Sequence, residues 1–386
     1  MANVTPPLLD ESIEKPQRPI EEVGGPAGGL LVQLMRFGVA LVIPVVIVVF
    51  FLAFSFLKSE DANKLVQVGV ALVAGVLGVW VLYWAMDKVV DLLPGTAATA
   101  VRPFAFVGPA MVLVTVYLVY PTVQTTIFSF QDADSESFVG FDNYVRIFTE
   151  SQYLVAIRNS LLWVLIVPAV AVIIGLAFAT LADKLGSRSE SAAKSLIFLP
   201  MAISFVGASA VWVFMYSFRP EGFGEQIGLL NAIWSGLGGQ PVDWLGAQPW
   251  NNLFLMVILI WLQTGFCMVI LSSAIKSVPD ELLEAARIDG ATEWQVFTRV
   301  TLPSVASTIT VVWTTTVITV WKVFDIVYVM TGGFDGTQVV AQQMVQEFFT
   351  NRNNGVGAAL AVLLFVAVVP VLIINVKRFR AQEAMR

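Results

Sequence analysis

An all-α polytopic membrane protein is the fold class that this sequence predicts, on three observations. Of its 386 residues 57% are hydrophobic and 13% charged, the apolar residues gather into stretches long enough to cross a bilayer, and the loops between those stretches differ in lysine and arginine content. So few polar residues cannot cover a water-soluble globule of this length, which makes lipid the main solvent.

Residues 1–29 contain Pro6, Pro7, Pro16, Pro19 and Pro26, four glycines and alternating acids and bases. That composition buries no core and predicts a disordered tail. Apolar stretches then follow at 30–57, 65–86, 103–130, 154–182, 195–217, 251–272, 303–325 and 355–376. Each is long enough for a hydrocarbon core of roughly 30 Å, so eight transmembrane helices are expected. The first is too long and too far from the start for a cleaved signal peptide, while a signal-anchor reading stays open. With the N-terminus inside, the inside segments hold fourteen lysines and arginines and the outside loops six. This bias places both termini in the cytoplasm, and with them residues 273–302.

The first two spans differ from the rest. Residues 65–86 have no polar side chain between Gln67 and Tyr83, as suits a lipid-facing helix, whereas the later six carry prolines, threonines, glutamines and a lysine. The expected organisation is therefore the tail 1–29, a peripheral helix pair over 30–102, and a six-helix core over 103–386.

Composition also excludes chemistry. The chain has no histidine and one cysteine, which removes Cys/His metal centres, disulfide frameworks and nucleophile–histidine relays. No Gly-Lys pair occurs, so there is no phosphate loop of the Gly-x-x-x-x-Gly-Lys-Ser/Thr kind; any ATP used is hydrolysed on a partner. A net charge of -6 with scattered acids gives no basis for nucleic-acid binding.

The most informative stretch is 277–303. Ser277 is placed to cap a short helix, with Pro279 in its first turn, Asp280 at the capping-box position and Gly290 at a left-handed exit. Residues 291–300 read as a second short helix, and Pro303 opens the next span. Both helices would lie across the inner face and offer the small Ala285 and Ala286 to a docking protein; an amphipathic connector would look the same by spacing alone.

The residues themselves decide between these readings. Glu284-Ala285-Ala286, Gly290 after Asp289, and Thr301-Leu302-Pro303 resemble the EAA signature of the permeases of binding-protein-dependent ATP-binding-cassette (ABC) importers, and the resemblance covers about 103–380. It implies a type I permease core with no bound cofactor, in which Glu284, Ala285, Ala286, Asp289 and Gly290 form the coupling helix gripped by an ATPase. The implied partners are a second homologous permease, two ATPase subunits that carry ATP and Mg, an extracytoplasmic solute-binding protein, the sugar and membrane lipid, in a prokaryotic inner membrane. The two extra N-terminal helices resemble the larger, maltose-type subunit. Thr331-Gly332-Gly333 and the ending from Val369 to Arg380 are similar to permeases for α-glucosides. The large insertion of the maltose type between its third and fourth spans is replaced here by about two dozen residues, which leaves the stretch 222–250 to meet the binding protein.

Thr315, Thr319 and Lys322 fall at i, i+4 and i+7 beside Ile318, a polar stripe on an apolar helix. The resemblance matches these four, together with Leu262, Gln263 and Phe266, to positions lining the maltose-type sugar site, and Gly265 would let the helix deform. Other readings stay open. Lys322 and Asp325 could pair along one face, Lys322 could snorkel to the interface, and threonines in membrane helices bond to their own backbone. Cys267 reads as a packing residue, and Trp234, Trp244 and Trp250 as an interfacial belt. The sugar stays open among α-glucoside, maltodextrin, trehalose and glucosylglycerol, and Lys322 would also suit glycerol phosphate. The rival function is a secondary transporter driven by an ion gradient with Lys322 and Asp325 as its relay, although no paired broken helices are visible.

Overall fold

The computed structural model describes residues 41, 44–59, 62–91, 93, 95–220 and 222–383. The expected tail 1–29 and the start of the first span lie outside them. Among the described residues the only β-structure is an isolated bridge between Gln131 and Phe138, and the rest is helix and turn, as an all-α membrane protein requires. Internal contacts divide the chain into Met1–Tyr120 and Pro121–Arg386, a later edge than residue 102.

The first unit holds α1 (Pro44–Leu57), α2 (Lys64–Asp91) and the start of α3 (Gly95–Phe128), inside which the division falls. α1 lies close against α2 because Gly78 has no side chain: a Cβ there would stand 2.5 Å from the Phe50 ring. Gln67 fastens the turn between them, its Nε2 donating to Ser59 O at 2.7 Å. Arg102 on α3 reaches Asp91 on α2 at 2.5 Å. The window of highest hydropathy in α2 is almost wholly unburied, consistent with a helix that faces lipid.

In the second unit, α4 (Asp142–Thr149) leads into α5 (Ser151–Ala182). Next come α6 (Ser187–Ala202) and α7 (Phe205–Met215), bent by 100° at their junction, then α8 (Leu229–Gly236) and α9 (Asn251–Lys276). After α10 (Asp280–Ile288) run α11 (Glu293–Ser304) and α12 (Ala306–Trp321), bent by 67°, then α13 (Asp325–Thr331), α14 (Val340–Val345) and α15 (Asn354–Glu383). α5 and α9 form the axis of the packing. They cross closely at Gly175, where a Cβ would lie 2.5 Å from that of Cys267, the small-residue contact expected between helices in lipid. Trp163, Val167, Leu255, Leu259 and Leu262 fill the interface, joined by Val320 and Ile326.

Among the described residues five single helices and two bent pairs are long and apolar enough to cross a membrane. α1, over its described residues, is shorter. The expected spans 195–217 and 303–325 are thus not continuous. The first breaks at Ile203 and Ser204, where Leu199–Ala202 tightens into a 3-10 turn and Ser204 Oγ caps α7 by accepting from Gly207 N at 3.0 Å. The second bends at Val305 and stops at Trp321, so α11, read as a separate surface helix, runs directly into this span through a π-helical turn at Phe297–Thr301. Two bends that hydropathy alone does not reveal are therefore present among the described residues.

Buried asparagines pin the turn after α13. Asn159 Nδ2 donates to Gly336 O at 2.7 Å and Gln338 O at 2.9 Å, and Asn251 Nδ2 donates to Asp335 O at 2.8 Å. Those bonds satisfy carbonyls of a turn whose left-handed Gly332, Gly333, Asp335 and Gly336 (φ 64°, 84°, 55° and 74°) cannot join a helical ladder.

Candidate functional site

A cleft of about 210 Å³ opens where the α6–α7 break meets α9 and α12. Leu262, Gln263 and Phe266 line it from α9, Thr315 and Thr319 from α12, and Met201 and Phe205 from the two sides of the break. Five of the seven residues expected at a substrate site therefore come together. Thr315 Oγ1 donates to Val311 O at 2.9 Å and Thr319 Oγ1 to Thr315 O at 3.0 Å. Their hydroxyl protons are thus engaged within the helix, and each oxygen keeps acceptor capacity.

Gln263 stands apart. It is 7% exposed, and among the described residues no hydrogen bond engages its side chain. The residue is mostly packed away, and its amide atoms are not sealed from solvent but open to the cleft, where a ligand could meet them. Here it faces a cavity otherwise lined by a methionine, a leucine, two phenylalanines and two threonines.

Ile318 is half-buried and Lys322 exposed, and neither lines the cleft. α12 ends at Trp321, so Lys322 is the residue that terminates the helix and the i, i+4, i+7 stripe does not reach it. Among the described residues no ion pair joins Lys322 to Asp325, which begins α13. Gly265 has a packing role in this structure. α9 passes through it as regular helix, and the missing side chain lets α6 approach: a Cβ would lie 2.6 Å from Ile197 O and 2.8 Å from Phe198 Cα. Cys267 is fully buried against Gly175 and is a packing residue in this structure. Trp234 and Trp250 are exposed, but Trp244 packs edge-on against Phe254 with centroids 5.0 Å apart.

Met201 and Phe205 were not identified from the sequence. Averaged over 195–217 they read as part of one apolar span; the available signal was Pro200 followed by the helix-capping Ser204.

The second candidate surface is the 277–303 loop. α10 begins at Asp280 with Pro279 as its N-cap; Ser277 is not that cap but closes α9, its Oγ donating to Ala274 O at 2.7 Å. Asp280 and Glu281 complement the positive end of the helix dipole. Gly290, at φ +82°, makes the left-handed exit, and Thr292 and Gln295 cap α11 reciprocally. Arg287 Nε donates to Glu293 Oε1 at 2.8 Å across this turn, and that bond raises the guanidinium above its ordinary value. Glu284, Ala285, Asp289 and Gly290 are exposed and Ala286 half-buried. Around them Ile288 is 86% exposed and Trp294 72%, an apolar surface that suits a protein contact. These two were also missed, because a short amphipathic pattern does not tell which apolar residues stay uncovered.

The family described as "Binding-protein-dependent transport system inner membrane component" matches residues 171–379. The chain is 54% identical to the osmoprotective compounds uptake permease protein GgtC of Synechocystis sp., over 73% of this chain and 100% of that protein. It is 44% identical to the alpha-glucoside transport system permease protein AglF of Rhizobium meliloti, over 82% and 97%. A bacterial ABC transporter that imports alginate has a chain of the same fold, with TM-score 0.64 at 21% identity over 73% of this chain and 98% of that one. With its helical spans and the 277–303 loop, the chain belongs to the inner-membrane permeases of binding-protein-dependent ABC transport systems.

Proposed function

We propose that this chain passes a neutral sugar, an α-glucoside or a related oligosaccharide, from a solute-binding protein to the cytoplasm by alternating access in an ATP-driven importer. The observation that carries the reading is Gln263, whose amide has no hydrogen-bond partner among the described residues and opens onto the wall of a cleft. It can donate to and accept from sugar hydroxyls, the two threonine oxygens can accept, and Phe205 and Phe266 offer apolar surface to a pyranose ring. The name of one relative, an alpha-glucoside transport system permease, supports the sugar class. Among the described residues no charged side chain lines the cleft, which disfavours glycerol phosphate.

At about 210 Å³ the cleft is smaller than the roughly 300–1,000 Å³ of ordinary small-molecule sites. A second permease subunit supplying the opposite wall would complete it. Two ATPase subunits carrying ATP and Mg dock on α10, with Glu284, Ala285, Ala286, Asp289 and Gly290 at the contact and Ile288 and Trp294 as its apolar part. In this reading the loop and both termini are cytoplasmic, as the charge bias indicates. The gradient-driven rival has less support, because among the described residues Lys322 and Asp325 form no ion pair and neither lines the cleft.

The test is uptake of radiolabelled α-glucosides by the whole complex in proteoliposomes. Gln263→Leu should raise KM about three- to tenfold, the worth of one or two neutral hydrogen bonds, and Glu284→Lys should uncouple uptake from ATP. Unchanged KM in the first variant would remove Gln263 from the site. Uptake that runs on an ion gradient without ATP would replace the reading with its rival.

A further inference from the structure

The last residue of α9, Lys276, stands three positions before the N-cap of α10, and its ammonium holds two other helices. Its Nζ donates to Glu190 Oε1 of α6 at 2.6 Å and lies 3.9 Å from Oδ1 of Asp183, the residue that closes α5. Glu190 also receives Lys194 one turn further along α6. Its carboxylate is only 12% exposed, whereas Lys276 and Asp183 are 47% and 40% exposed, so water and salt reach one side of the joint. Below this joint a cavity of about 300 Å³ separates Asp183 and Lys276 from Asp280, Leu283 and Thr301. The end of α9 that leads into α10 is therefore linked to α5 and α6 by charged side chains, in addition to the close packing of α9 on both helices further along.

α6 has a second fixed point. Its backbone at Ile197 and Phe198 rests directly on Gly265, and the helix ends by contributing Met201 to the cleft. Glu190 and Met201 are about 16 Å apart along the helix. We propose that Lys276 and Glu190 form an ionic joint that carries displacement of the coupling helix into α6 and so to the Met201 wall of the cleft. They are positioning residues: neither touches the sugar, and both act through α6. The inference rests on the reading of α10 as the coupling helix.

The experiment compares the complex with Lys276→Met, Lys276→Arg and Glu190→Gln in proteoliposomes, measuring sugar imported per ATP hydrolysed. Loss of the joint lowers that ratio at least about fivefold in Lys276→Met and Glu190→Gln, the lower range of typical coupling between sites, and Lys276→Arg restores it. A ratio unchanged in Lys276→Met overturns the proposal, as does a parallel fall of uptake and hydrolysis, which would mark a role in assembly alone. An arginine variant as defective as the methionine one overturns it too, since shape and not charge would then matter. The unaltered complex and Glu284→Lys separate this from the parent reading. If import needs ATP and Glu284→Lys uncouples it while Lys276→Met does not, the joint alone fails; if import needs no ATP, the coupling reading itself fails.

Discussion

Replacing Gly265 by alanine adds one methyl group at the point where α6 lies on α9. That methyl would meet Ile197 O at 2.6 Å and Phe198 Cα at 2.8 Å. Both are backbone atoms, so no side-chain rotation relieves the clash. Ordinary contact begins at 3.4 Å, and reaching it from 2.6 Å moves α6 outward by roughly 0.8 Å. Overpacking of this kind costs about 1–3 kcal/mol, and each kcal/mol lowers a thermal midpoint by about 2–4 °C in chains of 150–250 residues. Because α6 carries Met201, the same shift reshapes the cleft, so KM for sugar should rise as the midpoint falls. The assay pairs thermal unfolding of the purified complex with radiolabelled uptake, using Gly236→Ala, where an added Cβ meets nothing within 4 Å, as the control. If Gly265→Ala matches Gly236→Ala in both readouts, the close approach does not constrain the cleft.

Two further outcomes are expected. Tyr153, 1% exposed, donates its hydroxyl to Glu347 Oε1 at 2.8 Å, and Glu347 is itself 3% exposed with Asn351 Nδ2 as its other side-chain donor. Tyr153→Phe leaves that carboxylate short of a donor at about 1–3 kcal/mol; hydrogen exchange should show faster opening of residues 340–350, and unchanged protection would refute the role assigned to the bond. Asp132 is held below its ordinary 3.8, first by the backbone N–H of Glu136 at 2.9 Å. A depressed carboxylate contributes stability that is complete above the unfolded value and lost as pH falls through the lower folded one. Limited proteolysis of the 131–138 turn should therefore accelerate only below about pH 4, and Asp132→Asn should abolish that dependence.

Much of this organisation could be read from residue patterns. Gly290 was legible because a helix ending in Arg-Ile-Asp-Gly needs a left-handed residue, and its φ of +82° supplies one. Thr315 and Thr319 could be placed together because polar residues recur on one face of their helix, whereas Leu262, Gln263 and Phe266, on another helix, followed only from what the family resemblance implies. The breaks were not legible. Hydropathy summed over 195–217 is blind to a 100° turn, since lipid accepts both halves equally and the turn rests on one serine hydroxyl at Ser204. Lys322 was misplaced for a related reason: periodicity was extended past Trp321, where the helix stops. Ser277 was misassigned because a serine before proline fits the end of one helix as well as the start of the next, and only its bond to Ala274 O decides.

The seven cleft residues, Met201, Phe205, Leu262, Gln263, Phe266, Thr315 and Thr319, share one further property. None gains or loses a proton between about pH 4 and pH 10. Selection at this wall is therefore indifferent to acidity. On the proposed reading, a cell facing acid or alkaline surroundings would keep the same grip on its sugar at this wall, and any response of import to external pH would arise at other groups, on this chain or its partners.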